Sequence, residues 1–469
     1  MNPDAKNLNT SPFSHLWMSA AFALLVVAIF VIQQPLLLPV VLVVSISVWV
    51  IARTELNISD VQILSAAIFS AIVLPPLSSL PGLPSIRFEE LLFLLIFPLL
   101  ILKREPVKKD RLYNYFVLAV ILFGTAILFS TFYGRYILGV PVAGRDFFEL
   151  LKVFKILIVV VAISRFNLKE SDIYKLLYVI VFSFFVSSII GLMQYYGILG
   201  FEQITAPYYF ANRLHDVHHR MMGTFLNPNT YGTVITLGAV VTCVLAFYEK
   251  DFARKISLVF LVVFFSFIIA LTQSRTAIIV LTLALISVIG LNGYTGKLSF
   301  KKVALIFTGI SLTVFMFLDL LSEDVLTRLS TLSNISEDKS WQMRLFAWYL
   351  NLSIFSESML FGWGPAKMIH TTIVDSEYFL TLRRYGIVGF TIYLFIYLIP
   401  LYRAYLFQAK EGIAGVMGQI ILVSIIVFLV GNITNPLFHE IQFIDYWMIL
   451  LGIFFAMNPH AYNIYGKNE

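Results

Sequence analysis

Charged, hydroxyl-bearing and glycine residues concentrate in residues 344–389 of a chain that is otherwise mostly apolar. This stretch holds Arg344, the triplet Asp375-Ser376-Glu377 and the pair Arg383-Arg384. A carboxylate can accept a proton from a hydroxyl group, and a guanidinium group pairs bidentately with phosphate. We therefore look for the chemistry of this protein first in this stretch.

The rest of the composition is that of a membrane protein. Of the 469 residues, 59% are hydrophobic and 13% are charged, whereas a soluble domain carries about 25% charged residues. A helix needs about 20 apolar residues to cross a bilayer. Runs of this kind predict an all-α polytopic membrane protein, a single transmembrane domain of about 12–14 helices. The predicted spans are roughly residues 16–33, 35–52, 61–78, 86–102, 112–132, 146–164, 174–195, 229–248, 256–273, 276–291, 302–321, 386–404, 413–431 and 441–457.

The distribution of basic residues predicts how the chain crosses the membrane. With the first residue inside, thirteen of the nineteen basic residues on the inner side are Lys, and ten of the twelve on the outer side are Arg. The positive-inside rule then places both termini in the cytoplasm. Because Arg suits phosphate better than Lys does, the bias predicts a phosphorylated ligand on the outer face. Any single outer Arg could instead snorkel or pair with an acidic residue. No basic block with interleaved aromatics occurs, so no nucleic-acid partner is expected.

Two long external loops, residues 197–227 and 322–385, are predicted to form the active-site region. The first contains His215, His218, His219 and Arg220, and Asn229 follows it as the expected cap of the next helix. Three His could ligate zinc, but no Cys or Glu nearby completes a tetrahedral set. We therefore interpret this loop as substrate-facing and predict no metal.

Cations also mark positions outside these two loops. Arg275 lies in a polar hairpin between two apolar runs, where it could snorkel or provide a fixed cation at the level of a lipid headgroup. Arg145 lies in the external loop before the predicted span 146–164. Within that span, Lys152 and Lys155 are expected to face the protein interior, with Glu149 as a partner. An amphipathic helix near 341–358 is expected to lie along the membrane interface and display Arg344.

Four sequence features, all on the predicted outer face and in this order, resemble the superfamily of O-antigen ligases and polysaccharide polymerases. The resemblance is strongest over about residues 215–400. The features are Gly223-Thr-Phe-Leu-Asn-Pro-Asn229, then Ser274-Arg275, then Arg344 with Gly362-Trp-Gly364-Pro365, and then Asp375-Ser376 followed nine residues later by Gly386-Ile-Val-Gly389.

The resemblance implies a glycosyltransferase of the GT-C type in the bacterial inner membrane, with its active site facing the periplasm. Its implied donor is an undecaprenyl-diphosphate-linked oligosaccharide, and no cofactor is implied. In ligases, which transfer glycan to lipid A core, the last motif begins with His. Asp375 stands at that position here, so the chain is more similar to the polymerase (Wzy) branch, which joins repeat units.

Ligation remains the alternative, and a lipid-linked oligosaccharide flippase is the alternative outside enzymes. Membrane lipids are further partners, and the sequence leaves open whether a chain-length regulator binds.

The resemblance also suggests roles for single residues. Asp375 is expected to be the base, with Arg275 and Arg344 on the diphosphate. Asp375 could instead only cap a helix, with Glu377 or His370 as the base. Gly386 and Gly389 are expected to let helices approach closely. The remaining candidates for substrate binding are Arg145, His219, Arg220, Asn229, Tyr378, Arg383 and Arg384.

Overall fold

The computed structural model describes residues 59–75, 87–93, 97–104, 109–209, 219–225, 227–294, 339–370 and 374–462. Two compact units divide the chain, one made of residues 1–59 and 77–86 and the other of residues 60–76 and 87–469. All described residues except Ser59 belong to the second unit. The predicted spans 16–33, 35–52 and 302–321 lie outside the described residues, as do His215 and His218.

The described residues form helices and no strands, which confirms the all-α fold class. Fourteen α-helices are numbered in chain order: α1 Asp60–Val73, α2 Phe88–Leu91, α3 Phe97–Lys103, α4 Arg111–Tyr136, α5 Phe148–Ser164, α6 Glu170–Tyr195, α7 Phe201–Tyr209, α8 Pro228–Tyr248, α9 Phe252–Leu271, α10 Arg275–Tyr294, α11 Lys339–Ser356, α12 Glu377–Phe407, α13 Gly412–Gly431 and α14 Ile441–Ala456.

Seven of these helices are long and apolar enough to cross a membrane, which agrees with a multi-pass membrane protein. They are α4, α6, α8, α9, α10, α12 and α13. Helices α1 and α14 are apolar but shorter. Helix α5 has 17 residues, and three of them are the ionisable Glu149, Lys152 and Lys155.

Three helices form the centre of the packing. In the most apolar 18-residue stretch of each helix, 89% of α8 and 78% of α13 is buried inside the protein. Nearly every residue of α14 is buried as well. Helix α8 packs against α9, α10 and α13, while α14 packs against α5 and α1. In the outer helices α9 and α12, only 33% and 39% of the corresponding stretch is buried. Their remaining apolar surface suits contact with lipid.

Local sequence signals explain where several helices begin. Asp110 caps α4 by accepting a hydrogen bond from the backbone N–H of Tyr113 at 2.8 Å. Asn227 caps α8, and Pro228 occupies its first position, a common place for Pro because no N–H is lost there. The sequence had pointed to Asn229 as this cap, which is wrong by two residues. The side chain of Asn227 accepts the N–H of Asn229 at 2.8 Å.

At one end of the bundle, cationic side chains bind groups on neighbouring helices. This end lies opposite the candidate functional site and is here called the opposite face. Arg403 of α12 is 1% exposed and donates to Asp110 at 3.0 Å and to the carbonyl oxygens of Phe454 and Met457. Lys109 donates to the last residue of α5, Ser164. Burial, followed by the charge of Arg403, lowers the pKa of Lys109 to about 8. These residues lie on the side that the charge distribution predicts to be cytoplasmic.

Candidate functional site

The candidate site lies at the other end of the bundle, here called the site face. Helix α12 is broken there at Gly386, where φ is 64° and ψ is −170°. Four backbone hydrogen bonds of 2.8 to 3.2 Å join residues 359–364 to residues 383–388 across the break. Non-helical backbone at membrane depth is tolerated where the protein satisfies its polar groups. The loop after α11 therefore holds the short first segment of α12, residues 377–385, at a fixed place.

Two glycines make this close approach possible. A Cβ atom on Gly386 would lie 2.3 Å from the carbonyl oxygen of Leu360, and one on Gly362 would lie 2.5 Å from the carbonyl oxygen of Arg384. Both residues have φ above 60°, where side chains are strained. The sequence predicts that Gly386 and Gly389 let helices approach closely, but the segment that approaches Gly386 is the loop after α11, and the nearest atom at Gly389 belongs to Tyr385 of the same helix. The break in the helix at Gly386 was not expected.

Asp375 and Arg344 form an ion pair at the site face. The Nε atom of Arg344 lies 3.3 Å from a carboxylate oxygen of Asp375, and the side chains are 16% and 46% exposed. The cap of α12 is Ser376, not Asp375. The alternative that Asp375 only caps this helix is therefore wrong, and its carboxylate is left within reach of solvent and of a cation.

Helix α11 displays Arg344 as the sequence predicts. It packs against α12, and the ring of Trp348 lies 5.1 Å from that of Phe379. Large apolar side chains on its other sides are exposed, among them Met343 and Phe346. Apolar side chains are spread around this helix, so the predicted amphipathic pattern is not observed, and a position along the membrane interface stays a prediction.

Glu377, two residues after Asp375, is fully buried and bound on both carboxylate oxygens. Its Oε2 lies 2.9 Å from Nδ1 of His439, and its Oε1 accepts from the hydroxyl of Thr381 at 3.1 Å. The alternative of Glu377 as the base therefore finds no support in the geometry. Its backbone N–H also donates to Asn432 at 2.9 Å.

A second buried carboxylate, Glu149, collects cations from three parts of the chain. Its oxygens lie 3.2 Å from Nζ of Lys152, 2.6 Å from Nζ of Lys367 and 3.4 Å from Nη1 of Arg384. The predicted pairing of Glu149 with Lys152 is confirmed. Lys155 does not join this group but pairs with Glu90 and Asp445 deeper in the bundle, at 2.8 and 2.7 Å. Both lysines face the interior, as the sequence predicts.

Arg383 and His370 lie close to each other in a half-buried setting. The guanidinium of Arg383 is buried and donates to the side-chain oxygen of Asn351 at 2.7 Å. His370 packs edge-on against Trp363, and its buried Nε2 has no hydrogen-bond partner in the described ranges of the chain. Burial, and then the charge of Arg383, lowers the pKa of His370. His370 is therefore neutral at neutral pH and keeps an acceptor nitrogen available.

The segment before α8 contributes a separate group of polar contacts around the α9–α10 hairpin. Arg220 donates to the carbonyl oxygen of Thr272 at 3.1 Å and to the side-chain oxygen of Asn229 at 2.7 Å. Gln273 donates to the carbonyl oxygen of His219 at 2.6 Å. The side chain of His219 is exposed. Arg220 and Asn229 are thus in contact, and a role of this loop in substrate binding stays a prediction.

The α13–α14 link, residues 432–440, connects these groups. Thr434 shares a hydrogen bond of 2.7 Å with Thr276, the neighbour of Arg275 at the start of α10. The carbonyl oxygen of Asn432 accepts from the hydroxyl of Ser376 at 3.3 Å, next to Asp375. Through this link the hairpin with Arg275 and the turn with Asp375 are fixed to one segment.

The other candidates have structural contacts as well. Arg145 and Lys367 bind each other's backbone, since each side chain donates to the carbonyl oxygen of the other residue. The hydroxyl of Tyr378 donates to the carbonyl oxygen of Leu429. Arg87, another Arg of the predicted outer side, is buried and pairs with Glu89. For Arg87 the simple explanation, pairing with an acidic residue, is the right one.

Sequence reasoning did not select the residues of the link, His439 above all. One signal could have found it. The link carries polar residues, a Pro and a His between two long apolar runs, and the predicted topology already placed it on the same face as Asp375. Lys367 was assigned to that face too, but its pairing with Glu149 joins residues 218 positions apart, and no local pattern reveals such a contact.

Residues 259–394 match the family model Wzy_C, whose description is O-antigen ligase. The matched range contains Arg275, Arg344, Asp375 and Gly386 and ends before the α13–α14 link. No curated protein matches the chain. Over residues 259–394 the chain is therefore similar to the Wzy_C family, a match consistent with the superfamily of O-antigen polymerases and ligases.

Proposed function

We propose that this protein is a metal-independent membrane glycosyltransferase that polymerises glycan repeat units from an undecaprenyl-diphosphate-linked donor. The matched family implies an activity of the glycosyltransferase or ligase kind. The observation that carries the finer proposal is the ion pair of Asp375 and Arg344, half-exposed at the site face and placed where ligases have His. The inner membrane, with the site face towards the periplasm, is part of the same proposal.

The proposed reaction assigns complementary roles to the two partners of this pair. The carboxylate of Asp375 takes the proton from the acceptor hydroxyl, and the hydroxyl oxygen then bonds to the anomeric carbon of the donor sugar. The bond from that carbon to the diphosphate oxygen breaks, and the negative charge stays on the undecaprenyl diphosphate. Guanidinium groups of Arg344 and Arg275 stabilise this charge.

The geometry of the pair suits an exchange of partners. The contact uses Nε of Arg344, and the guanidinium has two further amino groups that can donate to phosphate. A diphosphate that binds Arg344 would draw it away from Asp375, and the carboxylate would then be free to act as a base. In the free protein the same pair keeps both charges compensated.

Glycan ligation is the second candidate, favoured by the description of the matched family as O-antigen ligase. It would use the same donor and the same leaving group with a lipid A core acceptor. His370 is then the residue to compare with Asp375, because its neutral ring and unpartnered Nε2 also suit a base.

The test incubates purified full-length protein with a defined undecaprenyl-diphosphate repeat unit, with and without EDTA, and separates the products on a gel. We expect a ladder of lengths that survives EDTA and that Asp375→Asn reduces by about 10²–10⁴-fold, the usual contribution of a general base. The matched control is Glu357→Gln, an exposed acidic residue on the same loop, which should leave the ladder unchanged.

Other products would redirect the proposal. Transfer only when lipid A core is supplied would make the protein a ligase. A ladder that Asp375→Asn leaves intact and His370→Gln abolishes would reassign the base. Absence of any transfer from the native repeat unit to either acceptor would refute the glycosyltransferase proposal.

A further inference from the structure

His439 of the α13–α14 link lies between Glu377 and Arg384 and contacts both with its ring nitrogens. Nδ1 is 2.9 Å from Oε2 of Glu377, and Nε2 is 2.6 Å from Nη1 of Arg384. The His439 side chain is 15% exposed, and Glu377 is fully buried. All three residues are therefore held in one buried chain of hydrogen bonds.

The chemistry of the two partners determines the state of the ring. A proton on Nε2 would be donated to Glu149, which lies 3.3 Å away. A guanidinium group only donates, so a hydrogen bond from Arg384 instead requires an Nε2 without a proton. Nδ1 then carries the ring proton and donates it to Glu377, and in this tautomer the ring links the carboxylate to the guanidinium.

The groups that surround this chain explain why it needs an anchor. Glu149 of α5 lies 3.3 Å from Nε2 of His439 and 3.4 Å from Nη1 of Arg384. Glu149 also attracts Lys152 and Lys367, so it is shared among several cations. Without the acceptor nitrogen of His439, Arg384 would be free to turn fully towards Glu149.

One donor of Arg384 has no acceptor among the residues that the structure describes. The side chain is 9% exposed, and this donor is its buried Nε. Buried polar atoms without partners are rare, and a bound ligand group is one explanation for such an atom. Arg384 also lies near the end of the short first segment of α12, which begins two residues after Asp375.

We infer that His439 is a positioning residue that holds the guanidinium of Arg384 in place to bind a phosphate oxygen of the lipid-linked substrate. This inference rests on the proposed function. It predicts that His439 acts on catalysis only through Arg384, because its two ring nitrogens are both occupied by protein groups. It also predicts that the acceptor side of the ring matters more than the donor side.

The first test compares two amide substitutions of His439, each of which can replace the contact of only one ring nitrogen. In His439→Gln the amide oxygen can reach Arg384, whereas in His439→Asn the shorter amide can reach only Glu377. We expect His439→Ala and His439→Asn to lose about 10²-fold in kcat/KM, as displaced binding groups do, and His439→Gln to keep most of the activity. Equal losses in the Gln and Asn variants would overturn the inference. Lys175→Ala, an exposed residue of α6 on the opposite face, is the control.

A double-mutant cycle tests whether the effect passes through Arg384. In the Arg384→Ala background, His439→Ala should cause no additional loss, because the group that it positions is already gone. Losses that multiply would show that His439 acts independently, which contradicts the inference. Melting temperatures are measured for every variant, and the Gln and Asn pair carries the test if His439→Ala does not fold.

A spectroscopic measurement separates this inference from the proposed function. Nitrogen NMR of histidine-labelled protein, with the signal assigned by its absence in His439→Gln, should show the tautomer protonated on Nδ1. In Arg384→Ala the preference for this tautomer should weaken. A wild-type ring protonated on Nε2 would overturn the inference even if the enzyme is active. Failure of wild-type protein to transfer glycan would refute the proposed function and leave the tautomer result standing.

Discussion

Two carboxylates only two residues apart, Asp375 and Glu377, lie in opposite environments. Glu377 is fully buried, and its oxygens are taken by His439 and Thr381. Asp375 is 46% exposed, and within the described part of the chain its ion-pair partner is Arg344, at 3.3 Å. A catalytic base must be reached by its substrate, whereas an anchor must be held on all sides. At this scale Asp375 suits the first role and Glu377 suits the second.

His370 offers a prediction on the dependence of stability on pH. Burial and the charge of Arg383 lower its pKa in the folded protein, so the unfolded chain binds a proton more readily. Stability is then complete above the ordinary pKa of a His, about 6.5, and is lost as the pH falls below it through the lowered pKa.

We expect the melting temperature of the wild type to fall more steeply between pH 7.5 and pH 5 than that of His370→Gln. The comparison of the two proteins removes the contribution of carboxylates, which titrate in both. Parallel curves would show that His370 titrates no differently in the folded and unfolded protein.

At the scale of elements, the broken helix α12 carries the site. The backbone of Gly386 lies in a region of φ and ψ that only glycine occupies without strain, and its Cα faces the carbonyl oxygen of Leu360. The loop contacts on either side hold residues 377–385 as a separate unit. Gly386 therefore contributes, together with the contacts to the α13–α14 link, to the positions of Asp375 and Arg384 relative to Arg344.

Gly386→Ala should destabilise the protein by about 1–3 kcal/mol from backbone strain alone, with a further cost from the contact with Leu360. Activity should fall more than stability, because the first segment of α12 would shift. The control is Gly290→Ala in α10, where a Cβ meets nothing within 4 Å. This substitution should stabilise the protein by about 0.5–1 kcal/mol. Unfolding in detergent and activity at a temperature where both variants are folded provide the measurements. An unchanged Gly386→Ala variant would contradict the structural account.

The elements could be predicted from the sequence more completely than their contacts. Apolar runs locate the long helices, because a bilayer imposes a minimum length on each span. The break at Gly386 was not predicted, since a glycine within an apolar run is also compatible with a continuous helix. The cap of α8 was placed two residues late because Asn227 and Asn229 both precede the apolar run. The partners of Glu149 depend on helix packing, which no local pattern encodes.

At the scale of the whole molecule, the two ends of the bundle are built differently. Arg403 at the opposite face is 1% exposed, and Asp110 compensates its charge. Removing one partner of a buried ion pair leaves an uncompensated charge and costs about 3–5 kcal/mol. An exposed pair such as Lys175 and Asp172 is worth about 0–1 kcal/mol.

Asp110→Asn should therefore destabilise the protein by about 3–5 kcal/mol, although an amide oxygen can still cap α4. Lys175→Ala, the control, should change the free energy of unfolding by less than about 1 kcal/mol. Both are measured by unfolding in the same detergent. Glycan transfer by the folded fraction of Asp110→Asn should match the wild type, because Arg403 lies at the end of α12 far from Asp375 in sequence. Equal stabilities of the two variants would contradict this interpretation.

The hydrogen bonds and ion pairs at the two ends of the bundle involve the same helices. Helix α12 is bound through Arg403 to α14 at the opposite face and through Arg384 to Glu149 of α5 at the site face. Helix α5 is bound again at the opposite face, where Lys109 binds Ser164. Transporters that work by alternating access must open one end of such a bundle while the other end closes. A bundle tied at both ends at once resists this rocking, so a lipid-linked substrate is expected to enter and leave through the same leaflet.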